Sequence, residues 1–377
     1  MGIMGILIAI LIFGVIILIH EFGHYTAAKL FRCGVSKFFI GWGPKIVSFK
    51  RRETEYGISW IPLIGGYVRL PGSEEEGGEI TEEEAADIKK YNLKTFNDLN
   101  AWQKCLAFAG GVILQIIVCI LILTLIISVM GKPVTRVVVG GLQSDSPAQA
   151  SGLETTDVIL EADGQKITSV DELINFTSDK AGKRVNLTID RKGKTESVVV
   201  VPQYSEKEKR ALMGINIAPI LHFEKQQMRW HDYVFGGVVF TGELSVKVVQ
   251  GIGMLITHKV SLKNSAMGPV RMVAFTKEVI KMGFVQVLLF FALININLAM
   301  INLMPFPALD GGHILILSIE KLFRTNIKTK AKEIINLTGF ALLIALMIYI
   351  TYNDISWLIK AHFAKPVPQE QVVPAGK

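Results

Sequence analysis

Cysteine is almost missing from this chain. Only 3 of 377 residues are cysteine, and Cys33, Cys105 and Cys119 are too scattered to form a C-x-x-C pair. That excludes a disulfide framework and a thiolate zinc site; Cys33 lies close enough to His24 to be weighed as a stray ligand, but reads as a packed or free thiol. Charge is thin as well. Charged residues make up 19% of the chain against 50% hydrophobic, with a mean hydropathy of +0.41. An ordinary soluble protein is excluded, and the length allows two or three domains. Residues 2–18 carry no charge, no basic residues precede them, and no convincing small-residue cleavage site follows. The first apolar run therefore reads as a retained span rather than a signal peptide.

Hydropathy gives spans at about 2–28, 102–130 and 284–303, with a fourth at about 334–352. Net charge is +7, and its placement says more than its size. Lys29, Arg32, Lys37, Lys45, Lys50, Arg51 and Arg52 follow the first span. Lys321, Arg324, Lys328, Lys330 and Lys332 precede the last. Basic loops beside spans are cytosolic by the positive-inside rule. The same rule accounts for the charge without nucleic acid, which is not an expected partner.

The first span ends in His20-Glu21-Phe22-Gly23-His24, an H-E-x-x-H motif. On a helix, positions i and i+4 share a face, so both imidazoles can reach one Zn²⁺ with Glu21 beside them as general base. Cleaving this run as a leader would remove or strand that motif. Ionisable groups inside a membrane segment are costly and point to function.

A catalytic zinc usually takes three protein ligands and keeps one position open. Asp310 is the candidate third ligand, in Asn302-Leu303-Met304-Pro305-Phe306-Pro307-Ala308-Leu309-Asp310-Gly311-Gly312. Pro305 and Pro307 disfavour continuous helix, so the chain should unwind just past the third span. Irregular backbone at membrane depth survives only where it is buried in protein or lines a wet cavity. Gly311 and Gly312 allow close main-chain approach. The plainer alternative for Asp310 is a helix N-terminal aspartate. His20, His24 and Asp310 can meet only if the first and third spans cross in the same direction, with one return helix between them. Residues 232–262 are apolar but carry Glu243, Lys247, His258 and five glycines. A crossing there would move Asp310 to the opposite face, so the segment is expected to lie along the outer surface.

The expected organisation is a first span with the metal motif (1–31) and a cytosolic loop with a membrane-associated β-hairpin (32–100). A second span (101–130), a soluble β-rich module (131–204) and an extracytoplasmic amphipathic segment (205–283) follow. The third span carries the Leu-Asp-Gly motif (284–318). A basic loop (319–333), a fourth span (334–360) and a flexible tail (361–377) complete the chain. In the loop, 74–84 reads as a solvated acidic stretch. In the module, strands are expected at 136–139, 157–162, 184–191 and 196–201, with helices at 146–153 and 171–176. Its Ser146-Pro147-Ala148, Ser151-Gly152-Leu153, Asp157-Val158-Ile159-Leu160 and Asp163-Gly164 resemble a PDZ domain of the bacterial protease type. Such a resemblance implies that a peptide or protein end is gripped by strand addition; a structural spacer is the alternative.

Together these pieces resemble the site-2 protease family of intramembrane zinc metalloproteases, of the bacterial RseP/RasP type with a single PDZ domain. Besides His20–His24, the resemblance rests on Gly41-Trp42-Gly43-Pro44-Lys45, Pro62-Leu63-Ile64-Gly65-Gly66-Tyr67-Val68, Ser261-Leu262-Lys263-Asn264, Gly268-Pro269-Val270 and Asn297 through Gly312. It covers most of the chain, and the proline-rich Leu-Asp-Gly motif in a membrane context is the specific part. Some members carry two PDZ modules where this chain shows one. The implied fold is an α-helical polytopic membrane protein of about four spans, a membrane-associated β-hairpin and one extracytoplasmic PDZ-like α+β domain. The implied ligands are His20, His24 and Asp310, with Glu21 as base and Zn²⁺ as cofactor. Asn297 and Asn302 become substrate contacts by the same resemblance, although inter-helix hydrogen bonding would also explain them. Gly65, Gly66 and Tyr67, in the 57–68 hairpin, would pair with an unwound substrate as an added strand. The implied substrates are single-span membrane proteins, of the anti-sigma-factor type or remnant signal peptides, cut at the bacterial cytoplasmic membrane. A non-catalytic PDZ-bearing adaptor is the rival, and needs none of the four residues of the metal set.

Overall fold

The computed structural model describes residues 3–73, 79–143, 146–191, 193–206, 208–224, 228–262 and 267–363. Lys263 and Asn264, the 74–78 part of the acidic stretch and the tail from 364 lie outside the described residues. The chain divides into two units, Met1–Thr124 with Gly237–Lys377, and Leu125–Gly236.

The first unit opens with helix α1, Ile3–Leu30. A backbone in an apolar setting must satisfy its own N–H and C=O groups, which a continuous helix does. Strands β1 (Lys37–Arg51) and β2 (Thr54–Arg69) follow, then α2 (Glu82–Tyr91) and α3 (Ala101–Met130). Both long strands bend at their glycines and prolines, so Phe38 faces Tyr56 on one side and Val68 on the other. Ile40 likewise faces both Ile58 and Gly66. The first half of β1 is thus sandwiched between the two halves of β2, and 66–69 forms an outer edge with no second strand among the described residues.

This sheet is fastened to α1. The Tyr25 and Tyr56 hydroxyls share a hydrogen bond of 2.8 Å, and Lys29 pairs with Glu53. Part of the expected acidic loop is in fact helix: Thr81 and Glu84 form a reciprocal capping box at the start of α2. Burial works to raise the Glu84 carboxyl, but Arg69, 2.7 Å away, and the Thr81 N–H outweigh it and hold it below the usual glutamate value. Cys33 is fully buried in the cluster of Ala28, Val35, Leu70, Phe96, Ala107 and Phe108. Burial pushes its thiol up to about 12, and among the described residues it lies outside the His20, His24 and Asp310 cluster.

The second unit contains β3 (Lys132–Leu142), α4 (Pro147–Ala150), β4 (Val158–Ala162), β5 (Gln165–Lys166), α5 (Val170–Ser178), β6 (Val185–Arg191) and β7 (Lys194–Val200). The short strands β8 (Gln203–Ser205) and β9 (Arg210–Leu212) pair with each other, and β10 (Ile215–Glu224) closes the module. The main sheet runs β10-β3-β4-β6-β7, with β5 against β4. Val137, Val139, Ile159, Leu173, Leu187 and Ile189 form its core. The module therefore reaches past the expected boundary at 204. Residues 215–224 pair along the whole of β3, from Ile215 opposite Leu142 to Glu224 opposite Lys132. Arg191 holds Asp157 through two hydrogen bonds of 2.8 and 2.7 Å, tying β6 to the turn before β4.

The chain then forms α6 (Trp230–Ile256), α7 (Pro269–Met282), α8 (Phe284–Asn302), α9 (Asp310–Phe323) and α10 (Thr329–Phe363). Among the described residues, five helices are long and apolar enough to cross a membrane. The sequence suggested about four, and the added one is α6. Far from broken by its glycines, α6 is a continuous 27-residue helix. Gly237 packs it against Ile120 and Thr124 of α3, and Val248 packs against the cluster of Val112, Ala299 and Met300 further along. Small residues permit this close helix approach. At the other side of the unit, fully buried Asp354 of α10 accepts the Arg271 N–H at 3.0 Å and pairs with its guanidinium at 2.9 Å. That pairing anchors α7 to α10.

Candidate metal centre

Helices α1 and α8 lie side by side through Ile12, Ile16 and Ile294 and present their C-terminal ends together. After α8 the chain unwinds over 303–309, where Ala308 takes a positive φ of 69°. Asp310 is the first residue of α9. Alanine side chains at 311 or 312 would strike the carbonyls of Leu303 and Phe306, so both glycines are needed for this tight return.

The return brings Asp310 to the paired histidines. One ligand atom from each of His20, His24 and Asp310 lies within 4.8 Å of the others. The Asp310 Oδ2 is 3.5 Å from His20 Nε2 and 3.6 Å from His24 Nε2, and the two Nε2 atoms are 3.2 Å apart. Tetrahedral zinc with ligand bonds of about 2.0–2.2 Å requires donors about 3.3–3.6 Å apart, close to this triangle. The donor chemistry also fits. His24 Nδ1 donates to the Ala107 carbonyl at 2.8 Å, and His20 Nδ1 lies 3.1 Å from Gln115 Oε1. Both Nε2 atoms can then offer a lone pair towards the Asp310 carboxylate oxygen, a donor set that a cation would bridge.

The carboxylate-bearing Glu21 is buried, at 8% exposure, against Gly66 of β2. A cavity of about 520 Å³ is lined by Glu21, the three candidate ligands, Gly66 and Asn302, among others. The Asn302 Nδ2 approaches His20 Nε2 at 3.3 Å, and Tyr67 also lines the cavity. Two expected contacts are not brought there. Gly65 does not line the cavity; its positive φ of 80° turns the chain into the edge strand. Asn297 is exposed and bonds back to the Leu293 carbonyl at 2.8 Å. Five helical residues from Asn302, it points to a different face of α8.

Sequence reasoning passed over the residues on α3. A Cβ at Gly110 would lie 2.5 Å from Gly23 O and 2.9 Å from the Ala27 side chain, so α1 and α3 cross at bare backbone. A Cβ at Gly111 would lie 2.5 Å from His24 Nε2 and 2.6 Å from His20 Nδ1. The adjacent glycines and the lone Gln115 inside an apolar run were the signals.

This geometry is that of a candidate metal-binding centre set among membrane-length helices. Comparison with known proteins gives the family. Residues 8–346 match Peptidase family M50. A protein of Clostridium acetobutylicum whose name places it among zinc metalloproteases is 31% identical, over 95% of this chain and 99% of its own. The zinc metalloprotease RasP of Oceanobacillus iheyensis is 29% identical over 93% and 98%, and RasP of Geobacillus kaustophilus 27% over 92% and 96%. A solved PDZ domain of an SdrC-like protein from Listeria monocytogenes matches 22% of this chain and 86% of its own, at 28% identity and a TM-score of 0.21. The chain belongs to peptidase family M50, the site-2 proteases. It is a zinc-dependent metalloprotease of intramembrane proteolysis and a multi-pass membrane protein.

Proposed function

We propose that His20, His24 and Asp310 hold the zinc ion and that Glu21 is the general base of an endopeptidase that cuts single-span membrane proteins. The carrying observation is the convergence of His20, His24 and Asp310 from opposite ends of the chain, beside a buried glutamate. Zinc, when bound, polarises the scissile carbonyl and acidifies the attacking water. Glu21 takes the water proton and delivers it to the leaving amine. Asn302, at the cavity wall, donates its amide N–H to the carbonyl oxygen as charge develops there. The 66–69 edge receives the substrate as an added strand, because a helical peptide bond is shielded until extended. Gly66 and Tyr67 form that contact, with Gly65 turning the chain into it.

Substrates of the anti-sigma-factor or remnant-signal-peptide type suit this site, in the bacterial cytoplasmic membrane. The basic residues after α1 and before α10 support a cytosolic location for those loops and an extracytoplasmic PDZ-like module. In that module a groove of about 370 Å³, between α5 and 210–217, suits an extended peptide or chain end. Because α1 and α8 run the same way, residues 131–283 must begin and end on one side of the membrane, so α6, which packs on α3, adds no net crossing in this reading. The decisive test is Glu21→Gln in the purified full chain. Zinc content should hold while cleavage of a single-span substrate falls about 10²–10⁴-fold; undiminished cleavage removes Glu21 from this role.

A further inference from the structure

The two candidate histidine ligands are oriented by one helix face. Ala107, Gly111 and Gln115 sit at i, i+4 and i+8 on α3 and so fall on a single stripe. Gly111 leaves room for both imidazoles, the Ala107 carbonyl takes the proton of His24 Nδ1, and Gln115 Oε1 faces His20 Nδ1 at 3.1 Å. The two acceptors differ in one respect. That for His24 is main chain and survives any substitution. For His20 it is a side chain, and fully buried at that.

The direction of the Gln115 amide follows from the chemistry of its neighbours. With the oxygen towards His20, Nδ1 carries the proton and Nε2 offers a lone pair to the metal triangle. Turned over, the amide N–H would face Nδ1 and drive the proton to Nε2, aimed at His24 Nε2 and Asp310 Oδ2, 3.2 and 3.5 Å away. A ligand nitrogen cannot keep that proton. In the orientation seen, Gln115 Nε2 has no hydrogen-bond partner among the described residues. One buried amide atom stays unpaired in either orientation, so the direction is set by what His20 Nδ1 takes and not by the rest of the amide's surroundings. The support for this placement comes from α8. Asn295, also fully buried, donates Nδ2 to the Gln115 main-chain carbonyl at 2.9 Å and to Cys119 Sγ at 3.2 Å. Gln115 is thereby held between the helix carrying the histidines and the helix leading to Asp310.

We infer that Gln115 is a positioning residue for the metal centre: its side-chain carbonyl fixes the tautomer and the plane of His20, with Asn295 bracing the segment of α3 that carries it. The inference rests on the reading of His20 as a zinc ligand, and the experiment separates the two. Zinc dissociation constants are measured on the detergent-solubilised full chain by competition with a chromogenic chelator, for wild type, Gln115→Met, Gln115→Glu and His20→Ala. Gln115→Met keeps the length without an acceptor and should weaken zinc about 10–100-fold, the usual effect of losing a partner behind a ligand. Gln115→Glu restores an acceptor and should return affinity to within about threefold of wild type, as carboxylate partners of ligating histidines do. His20→Ala should lose tight binding altogether. Cobalt absorption of the Met variant should also change, since a tilted imidazole alters the ligand field in a way that a loss of fold stability does not. Wild-type affinity in Gln115→Met, with His20→Ala deficient, overturns the role of Gln115 alone. Equal weakening in the Met and Glu variants also overturns it, by showing that volume and not the acceptor matters. Tight zinc binding by His20→Ala overturns the metal site itself. Should Gln115→Met fail to fold, Gln115→Glu decides by its retained or lost affinity.

Discussion

Replacing Gly111 with alanine adds one carbon at the most crowded point of the site. That carbon would lie 2.5 Å from His24 Nε2 and 2.6 Å from His20 Nδ1 and Cε1, whereas ordinary contact begins at 3.4 Å. Either α3 or the two imidazoles must give way by about 0.8–0.9 Å. Helix α3 has little room to withdraw, since Asn295 of α8 ties it at the Gln115 carbonyl and α6 packs on it at Ile120 and Thr124. The imidazoles therefore take most of the displacement. A zinc–nitrogen bond tolerates about 0.2 Å, so the triangle of donors is lost while the fold bears an overpacking cost of about 1–3 kcal/mol. Zinc affinity should fall at least about 100-fold and turnover by a similar factor, given what a shift of about 1 Å does at a reacting centre. Chelator competition and substrate cleavage on the purified full chain measure both. Gly242→Ala serves as the control, because a Cβ there meets nothing within 4 Å; zinc binding and turnover should be unchanged. If Gly111→Ala binds zinc and turns over like wild type, the packing of α3 against the histidines is not what holds the site together.

Asn302→Ala should lower kcat about 10²-fold or more, as loss of an oxyanion donor does, whereas Asn297→Ala, on an exposed face of α8, should leave it within about twofold. Equal losses at both positions would contradict the assignment of only one of them to the cavity. In the β-rich module, burial works to raise the Asp157 carboxyl, but Arg191 and the Glu154 N–H outweigh it and hold it below the usual aspartate value. A depressed carboxyl stabilises the fold fully above the ordinary aspartate range and ceases to do so as pH falls through its lowered value. Hydrogen exchange of the β4 and β6 amides in the full chain should accordingly speed up over that acidic interval, and Asp157→Asn should flatten the response; an unchanged profile in the variant would assign the acid sensitivity elsewhere.

The convergence of His20, His24 and Asp310 was legible in the sequence because its signals are covalent in spacing: i and i+4 on one helix, and an aspartate just past a proline-broken span. The strands of the module were legible for the same reason, through alternation and turn residues. What escaped notice depends on contacts between distant segments. Gln115 and Gly111 become meaningful only once α3 is laid across α1. Strand β10 was hidden by Pro219 within its run and by a pairing partner some eighty residues away. Glu82 to Glu84 read as solvated charge until Arg69 and Thr81 claimed Glu84 for the capping of a helix. Residues 232–262 read as a surface segment because a crossing there would reverse the third span; the close approach of α6 to α3 at Gly237 depends on distant backbone and left no signal in the sequence.

The contact between Gly66 and Glu21 sets a ruler. In the proposed function, an incoming peptide at the 66–69 edge and the Glu21 carboxylate would share one frame, so the scissile position would be counted off from the edge itself. A guest chain that slips by one residue turns every side chain to the other face, while a slip of two restores both the bonding pattern and the facing. Alternative cuts in one substrate should then fall two residues apart.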